Sequence, residues 1–169
     1  MRSAEIQDII DTFELLGDWD QRYHYLVELG ERLAPMPTDD KTEANRVKQC
    51  MSLVHTAPHA DNSDPRRIQY TGDCDTAIIK GVVALLVGLF SGKTTAEIEA
   101  LDVDALFSGL HLEEHLSPNR HVGVYAIVGK MKDQASALRA AEDRRGPKND
   151  TTGASTDKSS SASTATPNI

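Results

Sequence analysis

Cys50 is the residue best equipped for chemistry in this sequence. It lies in Glu43-Ala44-Asn45-Arg46-Val47-Lys48-Gln49-Cys50-Met51-Ser52-Leu53-Val54, between a charged segment and an apolar run with strand character. A cysteine thiolate is a nucleophile, and cations such as Arg46 and Lys48 just ahead of it favour that form. The same residue reads equally well as an inert buried thiol, because free cysteine is among the most buried residue types. These twelve residues leave the two readings balanced. The other cysteine is Cys74. Two cysteines are too few for a disulfide framework, and no Cys-x-x-Cys pair is present. Reduced thiols and a cytoplasmic location are the default expectation.

Two other patterns carry weaker chemistry. His111-Leu112-Glu113-Glu114-His115 fits the His-x-x-Glu-His pattern of some zinc proteases. It is boxed between Gly109 and Ser117-Pro118, which leaves at most about two helical turns and no evident third ligand. A surface helix is the preferred reading, and no metal is expected. Gly88-Leu89-Phe90-Ser91-Gly92-Lys93-Thr94 resembles a phosphate-binding loop, but it has three residues between the glycines and follows a helix pattern. The phosphate motif needs four and follows a strand. Gly92 is read as the end of that helix. His55 and His59 fall on no helix and make no metal site. No Gly-x-Ser-x-Gly elbow is present.

The elements that must position Cys50 follow from periodicity. Ile6, Ile9, Ile10, Phe13 and Leu16 predict an amphipathic helix ended by Gly17. Asp18 then caps a second helix with a buried stripe of Trp19, Tyr23, Leu26, Gly30 and Leu33. Pro35 and Pro37 prevent its continuation. Residues Ser52 to Ala57 and Arg66 to Thr71 read as strands of an antiparallel hairpin around a Pro58–Pro65 loop. Thr76 to Phe90 is apolar around most of its circumference, which predicts a central buried helix with Asp73 or Asp75 as its N-cap. Thr94-Thr95-Ala96-Glu97 is a capping box, Asp102 opens a short turn, and Ser117-Pro118 opens the last helix. The stripe of that helix is Val124, Ile127, Val128, Met131, Ala135 and Leu138.

Composition bounds the function. At 169 residues one domain is expected. Residues 141–169 are rich in Thr, Ser, Ala and Gly, and are read as a disordered low-complexity tail behind a folded domain of residues 1–140. The tail's four basic and four acidic residues cancel, so the formal charge of −8 belongs to the folded part, which argues against a nucleic-acid binder. The start, Met1-Arg2-Ser3-Ala4-Glu5, leads into a helix pattern rather than a signal peptide. The longest apolar run, Ala77 to Phe90, is too short to span a bilayer, so no membrane association is expected.

Four blocks in order give the chain a resemblance to the SufE-like cysteine-desulfuration family of sulfur acceptors in iron–sulfur cluster assembly. They are Asp18-Trp19-Asp20-Gln21-Arg22-Tyr23-His24-Tyr25-Leu26-Val27-Glu28-Leu29-Gly30, Lys41 to Cys50, Gly72-Asp73-Cys74-Asp75 through Ser91-Gly92-Lys93-Thr94, and His115-Leu116-Ser117-Pro118-Asn119-Arg120. The resemblance implies an α+β fold, SufE/IscU-like, in which a small antiparallel sheet packs against several helices. It implies that Cys50 is the catalytic sulfur carrier, accepting persulfide sulfur from a cysteine desulfurase, stimulating it, and passing the sulfur to an iron–sulfur scaffold or another acceptor. Pyridoxal phosphate would belong to that partner, and the chain itself would need no cofactor. Arg46, Arg120 and Asp75 are implied as supporting residues, with an ion pair from either arginine to Asp73 or Asp75 as the plainer alternative. A relay to tRNA or cofactor thiolation and a non-catalytic desulfurase-binding module are the alternative functions.

The sequence departs from the family's usual residues at Gln49, Met51 and Cys74, where Gly, Gln and Ser are common. With the hairpin centred near Ala60–Ser63, paired residue numbers would sum to about 122–124, placing Cys50 opposite Gly72, Asp73 or Cys74. Cys74 is then a candidate second thiol beside Cys50. Its plainer reading, a buried serine-sized cap residue, is preferred.

Overall fold

The computed structural model describes residues 3–146. The order is α1 (Ser3–Leu16), α2 (Trp19–Glu31), β1 (Val54–Ala60), β2 (Ile68–Cys74), α3 (Ala77–Phe90), α4 (Thr95–Glu99), α5 (Val103–Gly109), α6 (Leu112–His115) and α7 (Pro118–Arg145). Two short 3-10 turns, Thr38–Asp40 and Glu43–Asn45, lie between α2 and β1. The strands form one antiparallel pair, and the architecture is α+β as the resemblance implied.

The centre is α3. Ten of its fourteen residues are buried, so it meets protein on nearly every side. A fully buried aliphatic side chain contributes about 1.5–3 kcal/mol, and α3 supplies Ile78, Ile79, Val82, Val83, Leu85 and Leu86 to the core. Close approach explains two glycines. A Cβ on Gly30 of α2 would lie 2.8 Å from the Gly81 backbone nitrogen, and one on Gly81 would run into the Leu26 carbonyl. The two helices therefore touch backbone to backbone. The buried stripe of α2 is Leu26, Leu29 and Gly30, whereas Tyr23 is exposed. Trp19 stacks on His115, with ring centroids 4.0 Å apart.

The hairpin is shifted from its sequence expectation. Val54 pairs with Cys74, and the ladder runs to Ala60 opposite Ile68. Cys50 is thus outside the ladder and not opposite Cys74. The reason is Asp61. Its carboxylate accepts from the Ser63 backbone N–H at 3.0 Å and from Arg67 N–H at 2.9 Å, closing a wide loop around residues 61–67. That loop carries the strands two or three residues further along the chain than expected. Pro58 fits inside β1 because a two-stranded sheet leaves each strand with an open edge.

Capping chemistry places the helix ends. Asp18 accepts from Asp20 and Gln21 N–H, Asp102 from Ala105 N–H, and Thr94 with Glu97 forms a reciprocal capping box. Neither Asp73 nor Asp75 caps α3; Thr76 occupies that position. The phosphate-loop look-alike is a helix terminus. Gly92 has φ +78°, and Lys93 Nζ folds back to donate to the Leu89 carbonyl at 2.5 Å. Within the zinc-protease look-alike, His111 sits at a left-handed position ahead of the four-residue α6. The last helix continues to Arg145, past the boundary expected at residue 140, and Arg66 bonds Glu142 near its end at 2.9 Å. The rest of the expected tail, residues 147–169, lies outside the described residues.

Candidate active site

The chain ahead of Cys50 is fixed before it reaches the cysteine. Thr42 caps the Glu43–Asn45 turn by accepting from Asn45 N–H at 3.3 Å. Asn45 Nδ2 donates to the Asp40 carbonyl at 2.9 Å. Lys130 of α7 donates to the Ala44 carbonyl at 2.5 Å. Val47, almost fully buried, then donates its N–H to the Val54 carbonyl at 2.9 Å. Residues 48–53 thereby become a loop pinched at its base by two buried valines.

Cys50 sits in this loop, half-buried, with its N–H directed at the Val47 carbonyl at 3.4 Å. The far side of the loop is held by Asp75, whose Oδ1 accepts from Leu53 N–H at 2.9 Å while its own N–H donates to the Leu53 carbonyl at 3.2 Å. Asp75 acts on the loop backbone. Ser52 and Thr76 join across the loop, hydroxyl to hydroxyl, at 2.7 Å. Cys50, Ser52, Thr76, Ile79, Ser117 and Arg120 line a cleft of about 280 Å³. Arg120 lies at its rim with no ion pair among the described residues.

The other predicted residues fall nearby but apart. Arg46 does not line that cleft; it pairs with Glu43 at 3.8 Å and shares a neighbouring groove with Lys48 and Lys130. The alternative, an ion pair from either arginine to Asp73 or Asp75, does not form. Asp73 is held instead by Lys41 at 2.7 Å and Lys80 at 3.1 Å. The loop tip is apolar and open, with Met51 86 % exposed and Val122 of α7 61 % exposed nearby in the groove wall.

Cys74 is buried behind the Ser52–Thr76 contact and accepts a weak bond from Thr76 N–H at 3.4 Å. Burial is the main cause that pushes its thiol up to about 11; the Thr76 N–H bond works against it, and the Asp75 carboxylate adds to it. It is therefore a neutral thiol at ordinary pH, within electrostatic reach of Cys50. The residues that sequence reasoning missed are Ser52, Thr76 and Gly123, the last on α7 facing Cys50. Of these only Gly123 left a signal, as a glycine inside a helical pattern.

What this loop can do is thiol exchange: a nucleophilic sulfur on a pinned backbone, beside a small cleft with a cation at its rim. Comparison with known proteins places the chain in a family. The SufE model, described as an Fe-S metabolism associated domain, matches residues 7–135. The chain belongs to the SufE family. Two curated SufE-like proteins, both described as uncharacterized, are similar along most of their length. The chain is 36% identical over 140 residues to one from Rhizobium etli, covering 82% of this chain and 94% of that protein. It is 37% identical over 134 residues to one from Rhizobium meliloti, covering 78% and 95%. Membership of the SufE family ties the protein to iron–sulfur metabolism and supports a sulfur-transfer role in general. No helix among the described residues is long and apolar enough to cross a membrane.

Proposed function

We propose that this SufE-family protein accepts persulfide sulfur on Cys50 from a cysteine desulfurase, stimulates that enzyme, and hands the sulfur on for iron–sulfur cluster assembly. The observation that carries the reading is the setting of Cys50: half-buried beside its cleft, in a loop pinched by Val47 and Val54. The Cys50 thiolate attacks the outer sulfur of the partner's Cys–S–SH. A new S–S bond forms on Cys50, the partner's S–S bond breaks, and the partner leaves as a thiolate. No electrons are gained or lost overall, and the next acceptor thiol takes the outer sulfur by the same exchange.

The surroundings suit the task. Partial burial shields a persulfide from oxidation, while exposed Met51 and Val122 offer apolar contact for a docking partner. On this side of an otherwise acidic protein Arg46, Lys48, Arg120 and Lys130 outnumber Glu43 and Asp133, which suits an acidic partner surface. Pyridoxal phosphate, which frees sulfur from cysteine, belongs to the partner. The deciding experiment is Cys50→Ser assayed with a desulfurase and cysteine. Stimulation of sulfide release is expected to vanish while docking, read by co-elution, persists. Undiminished stimulation by the variant would mark the protein as a binding module instead.

A further inference from the structure

We infer that Gly123 is the seat of the reactive sulfur: its missing side chain lets Cys50 rest its Sγ against α7, and any side chain there turns the thiol away. The reading rests on the proposed carrier role only for its consequence in transfer; the seating stands on geometry.

Glycine is the poorest helix former after proline, and α7 carries two of them. They differ in their surroundings. Gly129 is exposed, and a Cβ built on it meets nothing within 4 Å. Gly123 is buried, and a Cβ there would lie 2.9 Å from Cys50 Sγ. The same Cβ would lie 3.6 Å from the Cys50 Cα and 3.6 Å from its Cβ, which is ordinary contact. The conflict is therefore confined to the sulfur atom. The Cys50 backbone has little freedom to retreat, because Val47, Val54, Leu53 and Asp75 hold the loop on both sides. The inexpensive relief is rotation of Cys50 about its single side-chain torsion into another staggered well. That rotation takes Sγ off the helix and leaves it more open to solvent. Gly123 is a positioning residue: it acts on the sulfur by leaving space for it.

For a carrier, the consequence is directional. With Sγ seated against α7, the outer sulfur of a persulfide has the cleft lined by Ser52, Thr76 and Arg120 to occupy. With Sγ turned off the helix, that alignment is lost even though the thiol is easier to reach.

The test is alkylation of Cys50 in the native full-length protein by iodoacetamide at fixed pH, followed by peptide mass spectrometry. Gly123→Ala is expected to react roughly fivefold faster at Cys50 than the parent, the scale of one rotamer preference, and Gly129→Ala to stay within about twofold. An unchanged rate in Gly123→Ala overturns the inference. Folding stability gives a second, independent readout. Gly129→Ala is expected to raise the denaturation midpoint, as is Gly123→Ala in a Cys50→Ala background, where the sulfur is gone. In the parent background Gly123→Ala should gain less. Equal effects of Gly123→Ala with and without the sulfur, including failure to fold in both, overturn the seat. The carrier reading fails separately, through Cys50→Ser with a desulfurase, and its failure leaves the alkylation result standing.

Discussion

Gln134 and Thr56 hold each other by two hydrogen bonds. Thr56 Oγ1 donates to Gln134 Oε1 at 3.0 Å, and Gln134 Nε2 donates to the Thr56 carbonyl at 2.5 Å. Thr56 is fully buried, so its hydroxyl and carbonyl both depend on this partner. The same Nε2 also reaches Asn45 Oδ1 at 3.3 Å. One side chain of α7 thus joins β1 to the turn that leads into the Cys50 loop.

Gln134→Ala leaves Thr56 without partners in the core. A buried polar group deprived of its hydrogen bond costs about 1–3 kcal/mol, so a loss of about 2 kcal/mol in urea denaturation is expected. A loss within experimental error would mean that water replaces the amide and the tie is dispensable.

Acid should unfold the protein through two carboxylates near the loop. Burial opposes ionisation of Asp40, but the Thr71 hydroxyl at 2.7 Å and the His59 ring at 2.8 Å outweigh it and lower its pKa. Burial likewise opposes ionisation of Asp73, and Lys41 and Lys80 outweigh it. Both folded-state values lie below the unfolded ones. The stabilisation is therefore present above the unfolded carboxylate pKa of about 3.9 and lost as pH falls through the lower folded values. Stability measured by denaturant titration should fall below that point, and less steeply in Asp40→Asn and Asp73→Asn. Equal acid slopes in parent and variants would assign the loss to other groups.

At the alkaline end the sign reverses. Burial raises Cys74 from about 9 to about 11, so the unfolded chain releases this proton first. The contribution of the neutral thiol is intact below the unfolded value and disappears as pH climbs through the folded one. Cys74→Ser should flatten the decline in stability across that window. Tyr70, raised by burial with its hydroxyl donating to the Met131 carbonyl at 2.7 Å, adds its own decline at higher pH, which the variant should retain. No change in the slope between pH 9 and 11 in Cys74→Ser would contradict the assignment of that window to Cys74.

Much of the fold was legible because its signals are local. Asp18, Thr94 and Asp102 cap helices where their side chains predict, and the apolar circumference of α3 marked it as central. The hairpin register was not legible, because it hangs on one carboxylate, Asp61, collecting bonds from Ser63 and Arg67. A side chain that sets a loop's length leaves no periodicity. The candidate cysteine was visible in its motif, but its surroundings were not. Ser52 and Thr76 meet across 24 residues, and Gly123 reaches Cys50 from the far end of the domain's sequence. Such contacts follow from the packing of the Cys50 loop against the start of α3 and against α7, which no spacing within any one segment announces.

The stacking of Trp19 on His115 has a practical side. Trp19 is the chain's sole indole, and His115 lies just before Ser117, Asn119 and Arg120 at the mouth beside Cys50. Fluorescence from that one ring is therefore a built-in optical gauge of the segment that borders the sulfur, legible without any attached dye.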